Sequence, residues 1–237
     1  MQIEHSEYQD QLVRGLTHRM NNILTLFHGY VGLLMDNQKL DRGTLEGLGK
    51  IKEGARAASE LMDRAQSLAR PSSSVVREIN LPELVHLLRP AFESFRPRAT
   101  TITIHVTDEI PHIWADMSRV KTAIIELVRN ACEAAPDGGE VRLEFSADAA
   151  PHGTSAAAQR VRWVSLTVID NGPGIAPEMM ERIFTPFFST KKKSNATGLG
   201  LTVAQANVQQ VGGILRMESA PGRTAFKLLL PSRAETG

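Results

Sequence analysis

Two glycine-rich stretches contain residue types that could bind a nucleotide. The first, Asp170–Ile175 (D-N-G-P-G-I), directly follows the apolar run Val161–Ile169. An aspartate at the end of a buried strand can accept a hydrogen bond from an exocyclic amine, and Gly172 and Gly174 let the backbone approach a ligand closely. Taken alone, the same stretch is compatible with an ordinary glycine-rich turn.

The second stretch, Thr197–Thr202 (T-G-L-G-L-T), opens a predicted helix, Leu199–Val211, which would end at two consecutive glycines. Glycines at the start of a helix leave backbone N–H groups facing outward at the positive end of the helix dipole, which is a natural phosphate site. Alone, this pattern is also typical of a plain helix start. The sequence lacks the P-loop motif and a complete G-x-G-x-x-G motif.

A third set of residues lies on the predicted helix Ser118–Ala135, for which Asp116 or Ser118 would be the N-cap. Glu126 and Asn130 are four residues apart and therefore share one face of this helix. Oxygen ligands on such a face suit Mg²⁺, which proteins usually hold with few side chains plus substrate phosphates. The alternative for this face is simple exposure to solvent.

Near the N-terminus, apolar residues recur every three or four positions and predict one face of a long helix: Leu12, Leu16, Met20, Ile23, Phe27, Val31 and Leu34. At about 100° per residue, His18 lies nearly opposite this stripe, and Asn22 and Thr25 fall on the same outward face. The pattern therefore predicts a solvent-facing imidazole with an amide neighbour one turn away. In isolation such a histidine is an unremarkable surface residue.

The elements that must position these residues fall into two parts. All 12 prolines lie at Pro71 or beyond it, and Pro71–Ser74 is a predicted hinge. Before it, a second apolar stripe predicts a second helix: Leu48, Ile51, Ala55, Ala58, Met62 and Ala65. One antiparallel hairpin buries each stripe on one side only, so pairing two hairpins into a four-helix bundle predicts a homodimer. We therefore predict a hairpin over residues 1–72 and a second domain over residues 73–237.

The second domain alternates between helix-like and strand-like patterns. Strands are predicted at Ile102–Val106, Val141–Phe145, Val161–Ile169, Ile214–Glu218 and Ala225–Leu230, the last two as a closing hairpin. The segment Ala149–Gln159 is rich in Ala, Gly and Ser and predicts a loop. With the two predicted helices, this pattern predicts a sheet covered by helices on one face. The fold class is thus α+β, a helical hairpin followed by a two-layer α/β sandwich.

Composition and charge exclude several classes of function. The net charge of +1 argues against general nucleic-acid binding, and a single cysteine excludes an intrachain disulfide and a cysteine-based zinc site. The polar, acidic start is unlike a secretory signal, and no apolar run reaches the roughly 20 residues of a membrane span. These features predict a cytoplasmic protein.

The order and spacing of the three sets resemble the ATP-binding domain of sensor histidine kinases, gyrase, mismatch-repair ATPases and heat-shock chaperone ATPases, the Bergerat fold. The resemblance covers about residues 78 to 231, and Phe184–Lys191 resembles the phenylalanine box and lid start of histidine kinases. It implies ATP and Mg²⁺ as cofactors, with Asn130 as a metal ligand and Asp170 on the adenine amino group. The remaining implied nucleotide contacts are Gly172, Gly174, Ile175, Phe184, Lys191 to Lys193, Thr197, Gly198, Leu199, Gly200, Leu201 and Thr224. One departure is Pro221–Phe226, which lacks one glycine of the family's usual G-x-G-T and predicts a shortened connection.

The stretch Leu16–Thr25 resembles the phospho-acceptor box of histidine kinases. This resemblance implies that His18 takes the γ-phosphoryl group of Mg·ATP and passes it to an aspartate of a response-regulator receiver domain. It also implies that the polar residue four after the histidine, here Asn22, positions a water for dephosphorylating the regulator. Most such families place Asp or Glu after the histidine to orient the imidazole, whereas Arg19 has only donors and is permanently cationic. We therefore predict slow autophosphorylation and a bias towards phosphatase or phosphotransfer activity.

Two other classes of function remain open on the sequence. Glu126 fits an ATPase of the same fold without histidine phosphorylation, because hydrolysing members use a glutamate four before the asparagine to activate water. A non-catalytic dimeric adaptor that docks a response regulator is the third class, and failure to bind any adenine nucleotide would favour it. In each case the signal is expected from an unidentified upstream sensor or ligand, since the sequence carries no recognisable sensor domain.

Overall fold

A computed structural model describes residues 2–36, 40–68, 74–106, 109–151, 161–190 and 197–232, with side chains from Gly15 onward. The chain divides into two compact units. The first comprises Met1–Pro71 with Ser189–Leu199, and the second comprises Ser72–Phe188 with Gly200–Gly237. Among the described residues, no helix combines the length and the apolar character that crossing a membrane requires.

The first unit contains two helices that pack against each other, α1 (Gln2–Met35) and α2 (Arg42–Leu68). Helix α2 begins after Asp41, whose Oδ1 accepts a hydrogen bond from the Thr44 N–H at 3.0 Å and so caps the helix. This is the predicted hairpin.

The row of α1 that is buried within the hairpin differs from the predicted stripe. Thr17, Leu24 and Val31, seven residues apart, are buried, and Ala55 of α2 is also buried. Val31 and Ala55 are members of the predicted stripes, whereas Thr17 and Leu24 are not. Five described members of the predicted stripe are instead 40–56% exposed in the single chain: Leu16, Met20, Ile23, Phe27 and Leu34. At 100° per residue, this exposed stripe lies about 70° around the helix from the buried row. One hairpin therefore covers only part of the apolar surface of α1.

The second unit is built on a five-stranded sheet in the order β2-β4-β5-β7-β6. The strands are β2 (Thr101–Val106), β4 (Glu140–Asp148), β5 (Trp163–Asp170), β6 (Ile214–Ala220) and β7 (Arg223–Pro231). Strands β2 and β4 are parallel, and the other neighbours are antiparallel. Helices α5 (Met117–Ala134) and α6 (Gly200–Gln210) pack against the sheet and against each other. The α+β class and its two-layer domain are therefore confirmed.

The alternation of burial along the strands explains this layer. In β4, Val141, Leu143 and Phe145 are buried, whereas the residues between them are partly or fully exposed. Because successive strand residues point to opposite faces, one face of the sheet meets the helices and the other remains polar. Most of β5 is buried, which is expected of a central strand and accounts for its nearly continuous apolar sequence.

Helix α5 begins where predicted, and Asp116 is its cap. Oδ1 of Asp116 accepts a hydrogen bond from the Ser118 N–H at 2.9 Å. Burial acts to raise the pKa of Asp116, but hydrogen bonds from Ser118 and Ser74 outweigh it and lower the pKa below its ordinary value. Ser118, the other predicted cap, is instead the residue whose backbone N–H donates to the capping carboxylate.

Four elements have no counterpart in the predicted set. Strands β1 (Val76–Ile79) and β3 (Ile113–Asp116) form a separate antiparallel pair. Two seven-residue helices, α3 (Leu81–Leu87) and α4 (Arg89–Phe95), follow β1. The two helices are shorter than the window of about 11–18 residues over which a helical period is recognised, and each strand has only four residues. Most of the predicted hinge at residues 71–74 and most of the predicted loop at residues 149–159 lie outside the described residues.

Candidate functional site

Asp170 ends β5 and is buried, with 2% of its surface exposed. Its Oδ1 accepts a hydrogen bond from the Gly172 N–H at 2.9 Å, which holds the carboxylate over the turn that follows the strand. In the sheet register, Asp170 lies directly opposite Thr224 of β7. The hydroxyl of Thr224 lies 3.0 Å from that of Ser219 on β6. Three neighbouring strands therefore place a carboxylate and two hydroxyls at one end of the sheet.

The two glycines of this turn are required by close contacts. A Cβ on Gly172 would lie 2.6 Å from the carbonyl oxygen of Ala134 and 2.6 Å from Oδ1 of Asp170. Gly174 has φ +84°, and a Cβ there would lie 2.5 Å from the carbonyl oxygen of Ala220. Any larger residue would push the turn away from the end of α5 or from β6.

Ile175 follows these glycines, and its N–H donates to Oγ of Ser219 at 2.9 Å. The side chain of Ile175 is half-buried against the core. Ser219 thus joins the glycine turn to Thr224, although no motif marks it in the sequence. Only the pairing of β6 with β7 could have indicated it. The turn at Pro221 and Gly222 connects these two strands, and Gly222 has φ +82°, which is a conformation that glycine adopts without strain.

Glu126 and Asn130 lie on α5, and Glu126 lies next to the beginning of α6. Glu126 is buried, with 7% of its surface exposed, whereas Asn130 is partly exposed. A Cβ on Gly200, the first residue of α6, would lie 2.9 Å from Oε2 of Glu126. The absence of a side chain at Gly200 therefore lets a buried carboxylate approach the N-terminus of α6.

The second glycine stretch leads into α6. Gly198 has φ +64°, and Leu199 is buried. Within the first unit, the hydroxyl of Thr197 accepts a hydrogen bond from Nη1 of Arg64 at 3.0 Å, and the Leu199 N–H lies 3.4 Å from the same oxygen. Leu201, in the second unit, is half-buried against the core.

Phe184 lies in the segment after the glycine turn. Its side chain is half-buried against the core, and its carbonyl oxygen accepts a hydrogen bond from the Thr202 hydroxyl on α6 at 3.0 Å. The guanidinium of Arg182 lies 4.5 Å from the centre of the Phe188 ring, a distance typical of a cation–π contact. The predicted lid lysines, Lys191 to Lys193, lie outside the described residues.

His18 lies on α1 in the first unit and is exposed, as is Arg19. Nδ2 of Asn22 lies 3.4 Å from Nδ1 of His18, so the amide one turn away is in contact with the imidazole. The neighbouring Asn21 points differently, and its Nδ2 donates to Oδ1 of Asp63 on α2 at 3.1 Å. The helical phase predicted for His18 and Asn22 therefore matches their exposure.

Comparison with known proteins extends this description. Residues 115–234 match the family of histidine kinase-, DNA gyrase B-, and HSP90-like ATPases. The sensory histidine kinase/phosphatase NtrB of Escherichia coli O157:H7 is 30% identical over 251 residues, which cover 98% of this chain and 65% of NtrB. The chain spans about a quarter to two thirds of the length of the curated relatives it matches.

Solved structures share the fold. Full-length ShkA in complex with AMPPNP matches 94% of this chain and 46% of its own, with a TM-score of 0.70 and 23% identity. Histidine kinase ThkA, solved in complex with the response regulator protein TrrA, matches 96% of this chain and 63% of its own, with a TM-score of 0.63 and 23% identity. The family match covers half of the chain, so the chain belongs to the histidine kinase-, DNA gyrase B-, and HSP90-like ATPase family.

Proposed function

We propose that this chain is an ATP-dependent protein histidine kinase that phosphorylates itself on His18 and exchanges the phosphoryl group with an aspartate of a response regulator. The observation that carries the proposal is the exposed imidazole of His18, in contact with Asn22 on α1, in the same chain as an ATPase-family domain. The chain therefore contains both a candidate acceptor and a candidate donor site for the phosphoryl group.

In this proposal the adenine of ATP lies against the end of the sheet. Asp170 accepts a hydrogen bond from the adenine amino group, and Thr224, opposite it in the register, contributes a hydroxyl. Gly172, Gly174 and Ile175 form the wall of the pocket. The close contacts of both glycines support this role, because a side chain at Gly172 would displace Asp170 and one at Gly174 would push the turn away from β6.

The phosphates are proposed to lie at the glycine stretch before α6. Gly198, Gly200 and Leu201 would contact the phosphates at the positive end of the helix, and Thr197 and Leu199 would lie beside them in the same stretch. Phe184 and Lys191 are proposed to border the nucleotide from the lid side. Helix α6 has 11 residues, long enough for its dipole to contribute at this end.

The oxygen donors near Gly200 fit a magnesium ion. The buried carboxylate of Glu126 borders the N-terminus of α6, and Asn130 lies one turn further along the same face of α5. Carboxylate and amide oxygens are hard ligands of the kind that Mg²⁺ prefers. These two side chains would hold the ion, and a bound Mg²⁺ would supply neutralisation of the phosphate charge.

The transfer itself requires a neutral imidazole. A lone pair of the His18 ring attacks the γ-phosphorus, the bond from that phosphorus to the β,γ-bridging oxygen breaks, and ADP leaves. The remaining ring N–H loses its proton to restore a neutral phosphoimidazole. An adjacent carboxylate usually accepts that proton, but the next residue here, Arg19, offers only donors. We therefore expect the kinase step to be slow.

A phosphatase activity is proposed alongside the kinase. The amide of Asn22 lies next to the imidazole and is suited to orient a water towards a phosphoaspartate on a docked regulator. The relative NtrB is a sensory histidine kinase/phosphatase, which supports the pairing of the two activities. The ThkA structure in complex with TrrA supports a response-regulator receiver domain as the partner.

The assembly is proposed to be a homodimer in the cytoplasm that receives its signal from an upstream sensor or ligand. The exposed apolar stripe of α1 supports the dimer. Five aliphatic and aromatic side chains on one side of a helix would lie in water in a single hairpin. A second hairpin packed on this stripe would complete a four-helix core.

The test is incubation of the protein with Mg²⁺ and γ-labelled ATP, followed by treatment with acid or base. Phosphohistidine is acid-labile and base-stable, and we expect such a label in the wild type and none in His18→Ala. Persistent labelling of His18→Ala would reject His18 as the acceptor. Arg19→Asp should incorporate label faster than the wild type, and an unchanged rate would refute the role given to Arg19.

A second candidate function is ATP hydrolysis without histidine phosphorylation. The specific observation in its favour is Glu126, a buried carboxylate at the start of α6 that is placed to activate a water. Release of free phosphate without any acid-labile phosphoprotein, abolished in Glu126→Gln, would favour this function over the kinase.

A further inference from the structure

Helices α5 and α6 run antiparallel, and their contacts define a register. Nη1 of Arg119 donates to Oδ1 of Asn207 at 3.0 Å. Seven residues later on α5, Glu126 meets Gly200, which lies seven residues earlier on α6. A separation of seven residues is close to two helical turns, so both contacts lie along one seam between the helices. Between them, Ala123 and Val203 are fully buried.

The contact between Arg119 and Asn207 is buried and polar. Arg119 is 7% exposed and Asn207 is 2% exposed. Both ends of the Asn207 amide are used, because its Nδ2 also donates to the carbonyl oxygen of Val203 at 2.9 Å. The amide is therefore held in one orientation, and it accepts a hydrogen bond from the guanidinium in one direction.

A buried arginine that joins two helices costs free energy, because its charged guanidinium loses contact with water. Burial lowers the pKa of Arg119 below its ordinary value, and the negative charge of Asp116 opposes this effect. Replacing buried charged or polar contacts by apolar side chains of similar volume is often neutral or stabilising. What a directional contact supplies instead is a single relative position of the two helices, as a buried polar residue does in coiled coils.

The relative position of the two helices determines the contact between Glu126 and Gly200 at the other end of the seam. A slip of one turn along the helix axis moves a residue by about 5.4 Å. Such a slip would bring a residue with a side chain opposite Glu126 in place of Gly200 and would move the carboxylate away from the N-terminus of α6. The neighbouring apolar contacts have no directional requirement of this kind.

We propose that Arg119 and Asn207 are positioning residues that set the register of α5 against α6 and thereby hold Glu126 at Gly200 in the nucleotide site. The inference rests on the proposed nucleotide binding at this site. It assigns a role to two side chains about two helical turns away from the residues that would touch ATP or its metal ion.

The first test is the paired variant Arg119→Met with Asn207→Leu in the full chain. We expect its melting temperature to equal or exceed that of the wild type, while its affinity for Mg·AMPPNP, measured by calorimetry, falls about fivefold to tenfold. Asn207→Asp loses the hydrogen bond to the carbonyl oxygen of Val203 but keeps the length of the side chain and an acceptor for Arg119, so its affinity should remain within about twofold of the wild type. The matched control is Ser146→Ala with Ser165→Ala, which removes a hydroxyl pair 2.9 Å apart in the sheet and should leave affinity unchanged.

A second variant covers the case in which the paired variant does not fold. Asn207→Gln keeps the amide but adds one methylene, so it should lower the affinity, in contrast to Asn207→Asp. Equal affinities of Asn207→Gln, Asn207→Asp and the wild type would overturn the inference, as would wild-type affinity in a folded paired variant. If the wild type itself binds no Mg·AMPPNP, it is the proposed nucleotide site that fails, and the inference fails with it.

Discussion

The substitution Gly172→Ala tests the geometry of the proposed adenine site. The added methyl group would lie 2.6 Å from the carbonyl oxygen of Ala134 and 2.6 Å from Oδ1 of Asp170, so either the turn or the carboxylate must move. The carbonyl belongs to backbone at the end of α5, and overpacking of this kind costs about 1–3 kcal/mol of folding free energy. Displacement of the carboxylate would also remove the hydrogen bond proposed between Asp170 and adenine.

The expected loss of affinity follows from that hydrogen bond. A hydrogen bond to a charged group contributes about 1.5–3 kcal/mol, which corresponds to a weakening of nucleotide binding by roughly 10-fold to 100-fold. Calorimetric titration with Mg·AMPPNP measures the affinity, and urea denaturation measures the free energy of unfolding. Asp170→Asn should weaken binding to a similar extent with a smaller change in stability.

The matched control is Gly54→Ala. A Cβ on Gly54, within α2, would meet no atom within 4 Å. We expect this change to raise the free energy of unfolding by about 0.5–1 kcal/mol, because alanine loses less backbone entropy than glycine in a helix, and to leave nucleotide affinity unchanged. If Gly172→Ala has the same free energy of unfolding and the same nucleotide affinity as the wild type, the turn is not closely packed as described.

Two further outcomes are expected. Burial raises the pKa of the Cys132 thiol to about 11, so an aromatic disulfide reagent at mildly alkaline pH should react with it only after denaturation; fast reaction of the folded protein would contradict its burial. For Asp148, burial acts to raise the pKa, but hydrogen bonds from Ser165, Lys227 and Ser146 outweigh it and lower the pKa. The ionised carboxylate therefore stabilises the fold above the unfolded-state pKa of about 3.9, and this contribution is lost as the pH falls through the lower folded-state pKa. The stability difference between wild type and Asp148→Asn should shrink over that acid range, and a difference independent of pH would refute the assignment.

Local signals in the sequence account for much of the fold. The five strands of the main sheet and helices α5 and α6 lie where the patterns predict them, within a few residues at their ends. The short elements β1, β3, α3 and α4 were not predicted, because four to seven residues do not establish a period. Asp116 could not be separated from Ser118 as a cap, since both residue types occur at N-caps.

The residues of the candidate site also divide into those that the sequence alone identifies and those that only the fold brings to the site. The glycine stretches and the spacing of Glu126 and Asn130 are local features, and the sequence alone identifies them. Ser219 carries no local signal, and only the pairing of β6 with β7 brings it to Ile175 and Thr224.

By itself, the sequence determined the features that depend on one residue or one element: the phase of His18 on its helix, the positions of the two glycine stretches, and the alternation that buries one face of the sheet. These follow from backbone sterics and helical or strand periodicity, which act over a few residues. The tertiary structure alone decided which row of α1 is buried in the hairpin, which hydroxyls surround Asp170, and that Arg119 meets Asn207 so that Glu126 meets Gly200. These are contacts between elements distant in sequence, and they depend on which side chains meet across an interface, which no local pattern encodes.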